Sequence, residues 1–346
     1  MAPKQRNLSS YTARKKQMMR LACVILIIIA LLVGGYIIGR RLEANSAPEE
    51  PKGDLTNRFM DMPRITYAGK EYQQSNRLTS ILLLGVDTWA EDSAAVSSVR
   101  NGGQSDFLLL LVIDRDQKIV TPIQIDRDTM TEITILGVLG NVAGTRNAQI
   151  CLSHGFGDGG AQSSLFTVDA VSKLLLGVPI DFYIAMQMDG IAAMNDALGG
   201  VTVTLEDDFT SLDAAMARGT TLTLRGAQAE YYTRHRMNIG IGTNESRMRR
   251  QQTYMQTATE IFDRKLQEDS NFVGAVFDTL EPYLETSMKR GRMINEAWNT
   301  RKYQRMPTLQ LAGEHTVGED GFIEFHADEQ ALIEMVLRLF YQENMK

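Results

Sequence analysis

The feature that most constrains this chain is an uncharged apolar run that extends from Leu21 to Gly39. An α-helix rises about 1.5 Å per residue, so this run is long enough to cross the roughly 30 Å hydrocarbon core of a bilayer. A cleavable signal peptide has a shorter apolar region that ends in small residues. Here Arg40 and Arg41 follow the run directly. We therefore expect one uncleaved N-terminal transmembrane helix over residues 21–39.

The charges on either side of this run indicate its orientation. Residues 1–20 contain six basic side chains and no acid, and only Arg40 and Arg41 follow the run closely. Positive charge favours the cytoplasmic side, so residues 1–20 are predicted to be a cytoplasmic tail and the body to be extracellular. The chain has a net charge of −6, so the part without this tail carries −12. Such an acidic body argues against a nucleic-acid partner.

The rest of the chain divides into a linker and one body. Residues 40–74 are predicted to be a linker, because the segment ANSAPEEPKGD is rich in proline and charge and poor in apolar residues. Residues 75–346 are long enough for one extracytoplasmic α/β domain. Cys23 lies in the predicted span and Cys151 in the body, so no disulfide within the chain is expected. These features fit a single-pass protein of a bacterial cell membrane.

The body alternates predicted strands and helices. Continuous apolar runs predict buried strands over residues 80–87 and 106–116, with a hairpin partner over 118–125. The other predicted elements are a loop over 132–160, a helix over 164–176 capped by Gly177, a strand over 181–186, a helix over 190–198, a strand over 201–205, a helix from Ala227, a helix over 246–266, turns near 313–316 and a helix over 327–342. This order predicts an α/β fold with a mixed central sheet and helices on both faces.

Two carboxylates are predicted at one edge of this sheet. Asp87 ends the first apolar strand, and Asp106 opens the second. Carboxylate oxygens suit Mg²⁺, a hard cation, and functional acids often collect at strand ends. Acids at strand ends are also often only solvated, so the pair by itself is weak evidence. Arg127 is predicted on the turn after the third strand, within reach of the same edge.

Residues 231–252 hold five arginines and a single acid. Crowded guanidinium groups repel one another unless an anion neutralises them, and their planar fork can donate two parallel hydrogen bonds to phosphate. The alternative is a solvated basic face of a helix. The spacing favours a polyphosphate site, for which the candidate residues are Arg234, Arg236, Arg247, Arg250 and Gln251.

Local patterns predict how this group is presented. Arg234 and Arg236 follow a β-like run, which would project both to one side of a strand. Arg247, Arg250 and Gln251 are spaced to share one face of a helix start. Asn244 or Ser246 is the predicted N-cap, and the helix N-terminus would add free N–H groups to the site.

Seven segments between residues 80 and 262 resemble, in order, the motifs of the LytR-CpsA-Psr family. The first six are Gly85-Val86-Asp87, Ser105-Asp106-Phe107, Asp126-Arg127-Asp128-Thr129, Ile180-Asp181-Phe182-Tyr183, Ala197-Leu198-Gly199-Gly200-Val201 and Tyr232-Thr233-Arg234-His235-Arg236, and the seventh is NESRMRRQQ over residues 244–252. The predicted N-terminal span also matches the topology of the family. Each motif is weak by itself, whereas seven in order are specific.

The resemblance implies an extracytoplasmic phosphotransferase that moves a glycan polymer from an undecaprenyl-diphosphate carrier to peptidoglycan. By that analogy Asp87 and Asp106 hold Mg²⁺ on the pyrophosphate, and the arginines bind its oxygens and stabilise charge during transfer. The carrier's prenyl chain would occupy an apolar groove between sheet and helices. The residues implied to act in catalysis are Asp87, Asp106, Arg127, Arg234 and Arg236. Those predicted to bind the substrate are Arg127, Arg234, Arg236, Arg247, Arg250 and Gln251.

Several positions depart from the family pattern, and they keep two other functions open. Gln104, Asp126, Phe107 and Asn244 replace the family's arginine, proline, threonine and aspartate, and Gln149 replaces a lysine unless Arg146 substitutes for it. A protein with these changes could be a non-catalytic envelope regulator that binds polyprenyl phosphates. It could also be a pyrophosphatase that acts on the lipid carrier with water as acceptor.

The predicted topology can be tested on intact cells. If residues 21–39 span the membrane with the N-terminus inside, protease added to protoplasts should digest the body of the protein. A cytoplasmic marker protein serves as the control for intact membranes. Full protection of the body, with the marker also protected, would contradict the predicted orientation.

Overall fold

The computed structural model describes residues 64–87, 103–137, 141–236 and 238–343. The chain divides into two compact units, Met1–Asp61 and Met62–Lys346, and the described residues all belong to the second. The predicted cytoplasmic tail, the predicted span and residues 40–63 of the predicted linker lie outside the described residues. Within the described ranges, no helix is both long enough and apolar enough to cross a bilayer.

A seven-stranded mixed sheet forms the centre of the fold. Its strands are β3 (Leu78–Val86), β4 (Ser105–Asp114), β5 (Ile119–Ile125), β8 (Phe182–Gln187), β11 (Leu284–Thr286), β12 (Gln304–Arg305) and β13 (Leu309–Gln310). The order is β11-β8-β3-β4-β5-β12, with β13 also paired to β5. The pairs β3–β4, β4–β5 and β8–β11 are antiparallel, whereas β3–β8, β5–β12 and β5–β13 are parallel.

Helices cover both faces of the sheet, as the sequence predicted. Eight helices occur in the described ranges, namely α1 (Leu152–Gly155), α2 (Ala161–Leu174), α3 (Gly190–Ala197), α4 (Ala227–Arg234), α5 (Asn244–Glu268), α6 (Phe272–Leu280), α7 (Arg290–Thr300) and α8 (Glu329–Phe340), and a short 3₁₀ turn spans Glu281–Tyr283. Leu82 and Leu110 share a core with Val171 of α2 and Val336 of α8. Alternate residues such as Ile81 face the other side. Because both faces are buried, β3 and β4 are continuous apolar runs.

A second core lies beyond one end of the sheet. It packs α3, α4 and α5 on the short hairpin of β9 (Thr202–Thr204) and β10 (Thr221–Thr223). Tyr232 of α4 and Tyr254 of α5 are both 1% exposed in this core. These contacts fix α4 and α5 relative to the sheet, and they therefore position the arginines at the ends of both helices.

The predicted loop over residues 132–160 is wrong. This region contains an antiparallel hairpin of β6 (Met130–Leu136) and β7 (Val142–Gln149), followed by α1. Its glycines suggested a loop, but Ile133, Ala148 and Ile150 are buried against the main core. Because three apolar residues anchor the hairpin on one side, its other side can be polar and glycine-rich without loss of strand structure.

Two further segments differ from the prediction. Residues 64–74, assigned to the linker, form β1 (Arg64–Tyr67) and β2 (Lys70–Gln74), and the C-terminal β16 (Tyr341–Glu343) pairs with β2. Residues 313–316, predicted as turns, belong to a hairpin of β14 (Gly313–Val317) and β15 (Ile323–Ala327). Both segments gain strand structure from partners that are far away in the sequence. The remaining predicted elements occur within two or three residues of their predicted ends.

Candidate active site

Asp87 and Asp106 lie at the same edge of the central sheet, where the sequence placed them. Val86 of β3 pairs with Ser105 of antiparallel β4, so the end of one strand meets the start of the other. The amide of Asp87 also donates to the carbonyl of Gln104 at 2.9 Å. The Asp87 side chain is 39% exposed and that of Asp106 is 11% exposed. The strand pairing thus brings two carboxylates to one partly buried place.

Arg127 reaches this edge from the turn that follows β5. Its guanidinium forms an ion pair with Asp106 and donates to Gln104 Oε1 at 2.7 Å. Its Nε lies 3.3 Å from Asp128 Oδ1. The turn is closed by Thr129, whose amide and hydroxyl both donate to the Asp126 carbonyl, at 3.1 and 2.6 Å. The turn therefore holds the Arg127 guanidinium next to the carboxylates.

Arg234 arrives from the other side and pairs with Asp87. The same guanidinium donates to Glu230 Oε1 at 2.8 Å, one helical turn earlier. The predicted β-like run before Arg234 is wrong, because Arg234 is the last residue of α4. The two tyrosines favoured a strand, but Ala227 to Glu230 favour a helix, and the second core packs that helix. Glu230 could have been found from its i, i+4 spacing to Arg234.

Arg236 lies two residues beyond the end of α4 and is half-buried. It helps to keep the Asp128 carboxyl charged, although burial is the largest influence on that group and raises its pKa. Its charge also adds to burial in lowering the pKa of Arg247. Within the described part of the chain, the Arg236 guanidinium has no hydrogen-bond or ion-pair partner. It is therefore available to an anion.

Arg247 is more enclosed than Arg127, Arg234 and Arg236, with only 3% of the side chain exposed. It occupies the first turn of α5, where one guanidinium nitrogen donates to Asn244 Oδ1 at 2.6 Å and another lies 3.5 Å from Asp106 Oδ2. Its Nε is buried without a partner among the described residues. The N-cap is Thr243 rather than Asn244 or Ser246, since the Thr243 hydroxyl accepts the Ser246 amide at 3.3 Å.

The structure does not bring Arg250 and Gln251 to the two carboxylates. Arg250 donates to the carbonyls of Tyr232 and His235, both at 2.6 Å, and its Nε lies 3.5 Å from Asp207. Gln251 donates to the Thr233 carbonyl at 3.1 Å. Their shared helix face is real, but it packs against the C-terminal end of α4. These two side chains hold the segment that carries Arg234 and Arg236.

The electrostatics of the site combine burial with crowding. Burial raises the pKa of Asp87, which nearby Asp106 raises further and Arg234 opposes. Burial lowers the pKa of Arg247, and the positive charges of Arg127 and Arg236 act in the same direction. A bound polyanion would relieve both the repulsion among the guanidinium groups and their incomplete hydrogen bonding.

The carboxylates have the donor chemistry for Mg²⁺ that also binds phosphate. In the described ranges, no group of three or more acidic, histidine or cysteine side chains is arranged to hold a metal. Mg²⁺ commonly uses one or two carboxylates and completes its shell with water and substrate phosphates. Asp87 and Asp106 fit this second kind of site, because two carboxylates adjoin the arginines that would hold the phosphates.

A cavity of about 360 Å³ opens on the other side of Asp87. Gln187, Tyr283 and Glu285 contribute hydrogen-bonding groups to its wall. Glu285 also accepts a hydrogen bond from Tyr183 at 3.1 Å, which orients its carboxylate. The described lining also includes His154 but no arginine or lysine, unlike the arginine side of Asp87. It suits hydroxyl groups better than phosphates.

Some residues near the site carried no signal in the sequence. His315 lies with its Nε2 3.0 Å from Asp126 Oδ2, although the two residues are far apart in the chain. Cys151 is fully buried beside Arg127, and burial raises the pKa of its thiol to about 12. Such a thiol remains protonated at neutral pH, so Cys151 fills space beside Arg127 and is not a nucleophile.

The fold and the site define an α/β domain that presents acidic and arginine side chains together at one sheet edge. Residues 48–340 match the LytR_cpsA_psr family, so the chain belongs to that family. This membership confirms the resemblance seen in the sequence motifs.

The chain is also similar to three known proteins. A polyisoprenyl-teichoic acid–peptidoglycan teichoic acid transferase TagU from Bacillus mycoides (strain KBAB4) is 26% identical over 258 residues, or 73% of this chain and 74% of that protein. The TagU of Halalkalibacterium halodurans is 28% identical over 243 residues, or 68% and 70%. Protein gbs0355 from Streptococcus agalactiae has a crystal structure with a TM-score of 0.62 at 20% identity, covering 76% of this chain and 86% of that one. The last comparison shows a shared fold.

The contacts of Arg250 predict a structural role that Arg249 lacks. Arg250→Ala would leave the Tyr232 and His235 carbonyls without their donor and Asp207 without its ion-pair partner, so the free energy of unfolding should fall by about 3–5 kcal/mol. Arg249 is 53% exposed and pairs weakly with Glu245, so Arg249→Ala should cost less than about 1 kcal/mol. Urea unfolding followed by circular dichroism measures both. Equal losses for the two variants would contradict this assignment.

Proposed function

We propose that this protein is a membrane-anchored extracytoplasmic phosphotransferase that moves a glycan polymer from an undecaprenyl-diphosphate carrier to peptidoglycan. The single observation that carries the proposal is the convergence of three arginines on two carboxylates, with a fourth arginine close to Arg247, in a chain whose net charge is negative. The names of the TagU relatives, which are polyisoprenyl-linked teichoic acid transferases, support the same class of reaction. The four arginines are Arg127, Arg234, Arg236 and Arg247.

The arginines would bind the pyrophosphate of the carrier. Arg236 has no partner among the described residues, and Arg247 has a buried Nε without one, so both can donate to phosphate oxygens. Arg127 and Arg234 currently pair with Asp106 and Asp87. Asp87 and Asp106 would hold the cation when the pyrophosphate is bound, and these two guanidinium groups would then donate to the phosphates. The charges of the site then remain balanced.

Asp87 and Asp106 would hold Mg²⁺, which neutralises charge on the pyrophosphate as its phosphoanhydride bond breaks. Arg247 is buried, so its interaction with developing negative charge is screened little by water. The site therefore supplies fixed positive charge where the leaving phosphate gains negative charge.

The acceptor would enter through the cavity beside Asp87. A sugar hydroxyl of peptidoglycan attacks the phosphorus that bears the glycan, a new P–O bond forms, and the phosphoanhydride bond breaks. The products are a glycan phosphodiester and undecaprenyl phosphate. Asp87 and Asp128 are both candidate bases because burial raises the pKa of each, but only Asp87 lines the cavity. One of these two carboxylates would take the proton that the hydroxyl loses.

The full-length protein should transfer glycan from a polyprenyl-diphosphate donor to a peptidoglycan fragment when Mg²⁺ is present. Asp87→Asn and Asp106→Asn each remove a charged ligand, so transfer should fall by about 100-fold or more. The measurement is product formation by mass spectrometry, with far-UV circular dichroism as a check on the fold. Asp116→Asn is the matched control, since Asp116 follows the opposite end of β4.

The same assay separates the proposal from its two alternatives. Donor binding without transfer would support a non-catalytic regulatory protein. Release of undecaprenyl phosphate at an equal rate without the acceptor would support a pyrophosphatase. Wild-type activity in both aspartate variants would contradict the metal assignment.

A further inference from the structure

The hairpin β14–β15 contacts the turn that carries Arg127, although the two segments are far apart in the chain. The amide of Phe325 donates to the Asp128 carbonyl at 2.8 Å, and Phe325 forms a β-bridge with Thr129. His315 lies against the Phe325 ring, with 4.9 Å between ring centroids, and its Nε2 lies 3.0 Å from Asp126 Oδ2. The hairpin therefore reaches both ends of this turn.

Asp126 collects three hydrogen bonds although it is only 5% exposed. Its Oδ1 accepts from the Asp128 amide at 2.8 Å and from Asn244 Nδ2 at 2.7 Å, and its Oδ2 contacts His315. A carboxylate can only accept, so the Nε2 of His315 carries the hydrogen in this bond. Within the described ranges Asp126 has no arginine or lysine partner. Its charge is instead held by these three donors.

Asn244 connects Asp126 to Arg247 through hydrogen bonds to both residues. Because Asn244 Nδ2 donates to Asp126, the amide oxygen must face the other way, and it accepts from Arg247 at 2.6 Å. A carboxylate at position 244 would neutralise Arg247 directly. The neutral amide orients the guanidinium and leaves its charge available. His315, Asp126, Asn244 and Arg247 thus form one continuous chain of hydrogen bonds.

We propose that His315, Asp126 and Asn244 are positioning residues that hold the Arg247 guanidinium ready for a pyrophosphate. The hairpin β14–β15 is then part of the active site, although it contributes no residue that touches the substrate. The identity of the anion rests on the proposed function, whereas the positioning of Arg247 does not.

A control variant can separate the proposed positioning role of His315 from a general contribution to the stability of the hairpin. All five residues of β14 are exposed, so the strand contributes little to the apolar core. His326 on the paired strand is a matched control, because among the described residues its imidazole bonds only Thr316 and Glu324, on the exposed side of the hairpin. Both imidazoles lie on the hairpin, whereas only His315 is linked to Arg247, through Asp126 and Asn244.

Calorimetric binding of inorganic pyrophosphate to the full-length protein tests this chain. His315→Ala should weaken binding by about 3- to 10-fold, as expected for one hydrogen bond, and Asn244→Ala by about 30-fold. His315→Gln should recover part of the loss, because its amide can donate to Asp126. His326→Ala should bind like the wild type. His315→Ala should melt somewhat below His326→Ala, because the buried Asp126 carboxylate loses a donor, so binding is compared at a temperature where both variants are folded.

The double variant gives the sharpest result. If His315 acts only through Asn244, His315→Ala/Asn244→Ala should bind no more weakly than Asn244→Ala alone. Additive losses, or equal binding by His315→Ala and His326→Ala, would overturn the proposal. If the wild type does not bind pyrophosphate, the proposed function fails. The positioning is then decided by crystal structures, and an unmoved Arg247 side chain in His315→Ala would overturn it.

Discussion

The burial of the Arg247 guanidinium at the edge of the sheet is the interaction on which the site depends. A guanidinium cannot give up its proton, so its charge must be balanced where it is buried. Here Asp106 lies 3.5 Å away and Asn244 accepts one hydrogen bond, while the Nε has no partner in the described part of the chain. The balance is incomplete, and an anion that accepts a hydrogen bond from the Nε would complete it. This unbalanced charge and unsatisfied N–H group are the physical reason to expect a polyanion at the site.

The rest of the architecture serves to maintain that arrangement. Antiparallel pairing of β3 and β4 brings Asp87 and Asp106 to one edge, because one strand ends where the other begins. The helices α4 and α5 deliver arginines from a separate core, and Arg250 locks these helices through two backbone carbonyls. Arg250, which the sequence predicted to bind phosphate, therefore holds the helices that carry the candidate phosphate-binding arginines.

Much of this could be predicted from the sequence where the signal is local. The apolar runs of β3 and β4 predict their burial and place Asp87 and Asp106, since both faces of the sheet are covered. The spacing within α5 places Arg247 on its first turn. A helix was predicted from Ala227, but its last turn was interpreted as a β-like run because tyrosines favour strands, and tertiary packing outweighed that preference.

The features that could not be predicted depend on distant partners. The hairpin β6–β7 is held by Ile133, Ala148 and Ile150 in the main core, which its many glycines concealed. The bond from His315 to Asp126 joins segments about 190 residues apart, and nothing in either segment indicates the other. A single helix face also does not reveal which of its residues face a ligand and which face a neighbouring helix, as Arg250 shows.

The proposed function requires the buried and half-buried arginines to hold a polyprenyl-linked phosphate. The most direct test is mass spectrometry of the lipids that co-purify with the full-length protein from native membranes. The wild type and Arg249→Ala should carry polyprenyl phosphate or pyrophosphate, because Arg249 is exposed and makes no contact with the site. Arg236→Ala and Arg247→Ala should lose at least about nine-tenths of it, as expected when a charge-assisted pair is truncated. Equal lipid content in all four proteins, or none in the wild type, would contradict this account.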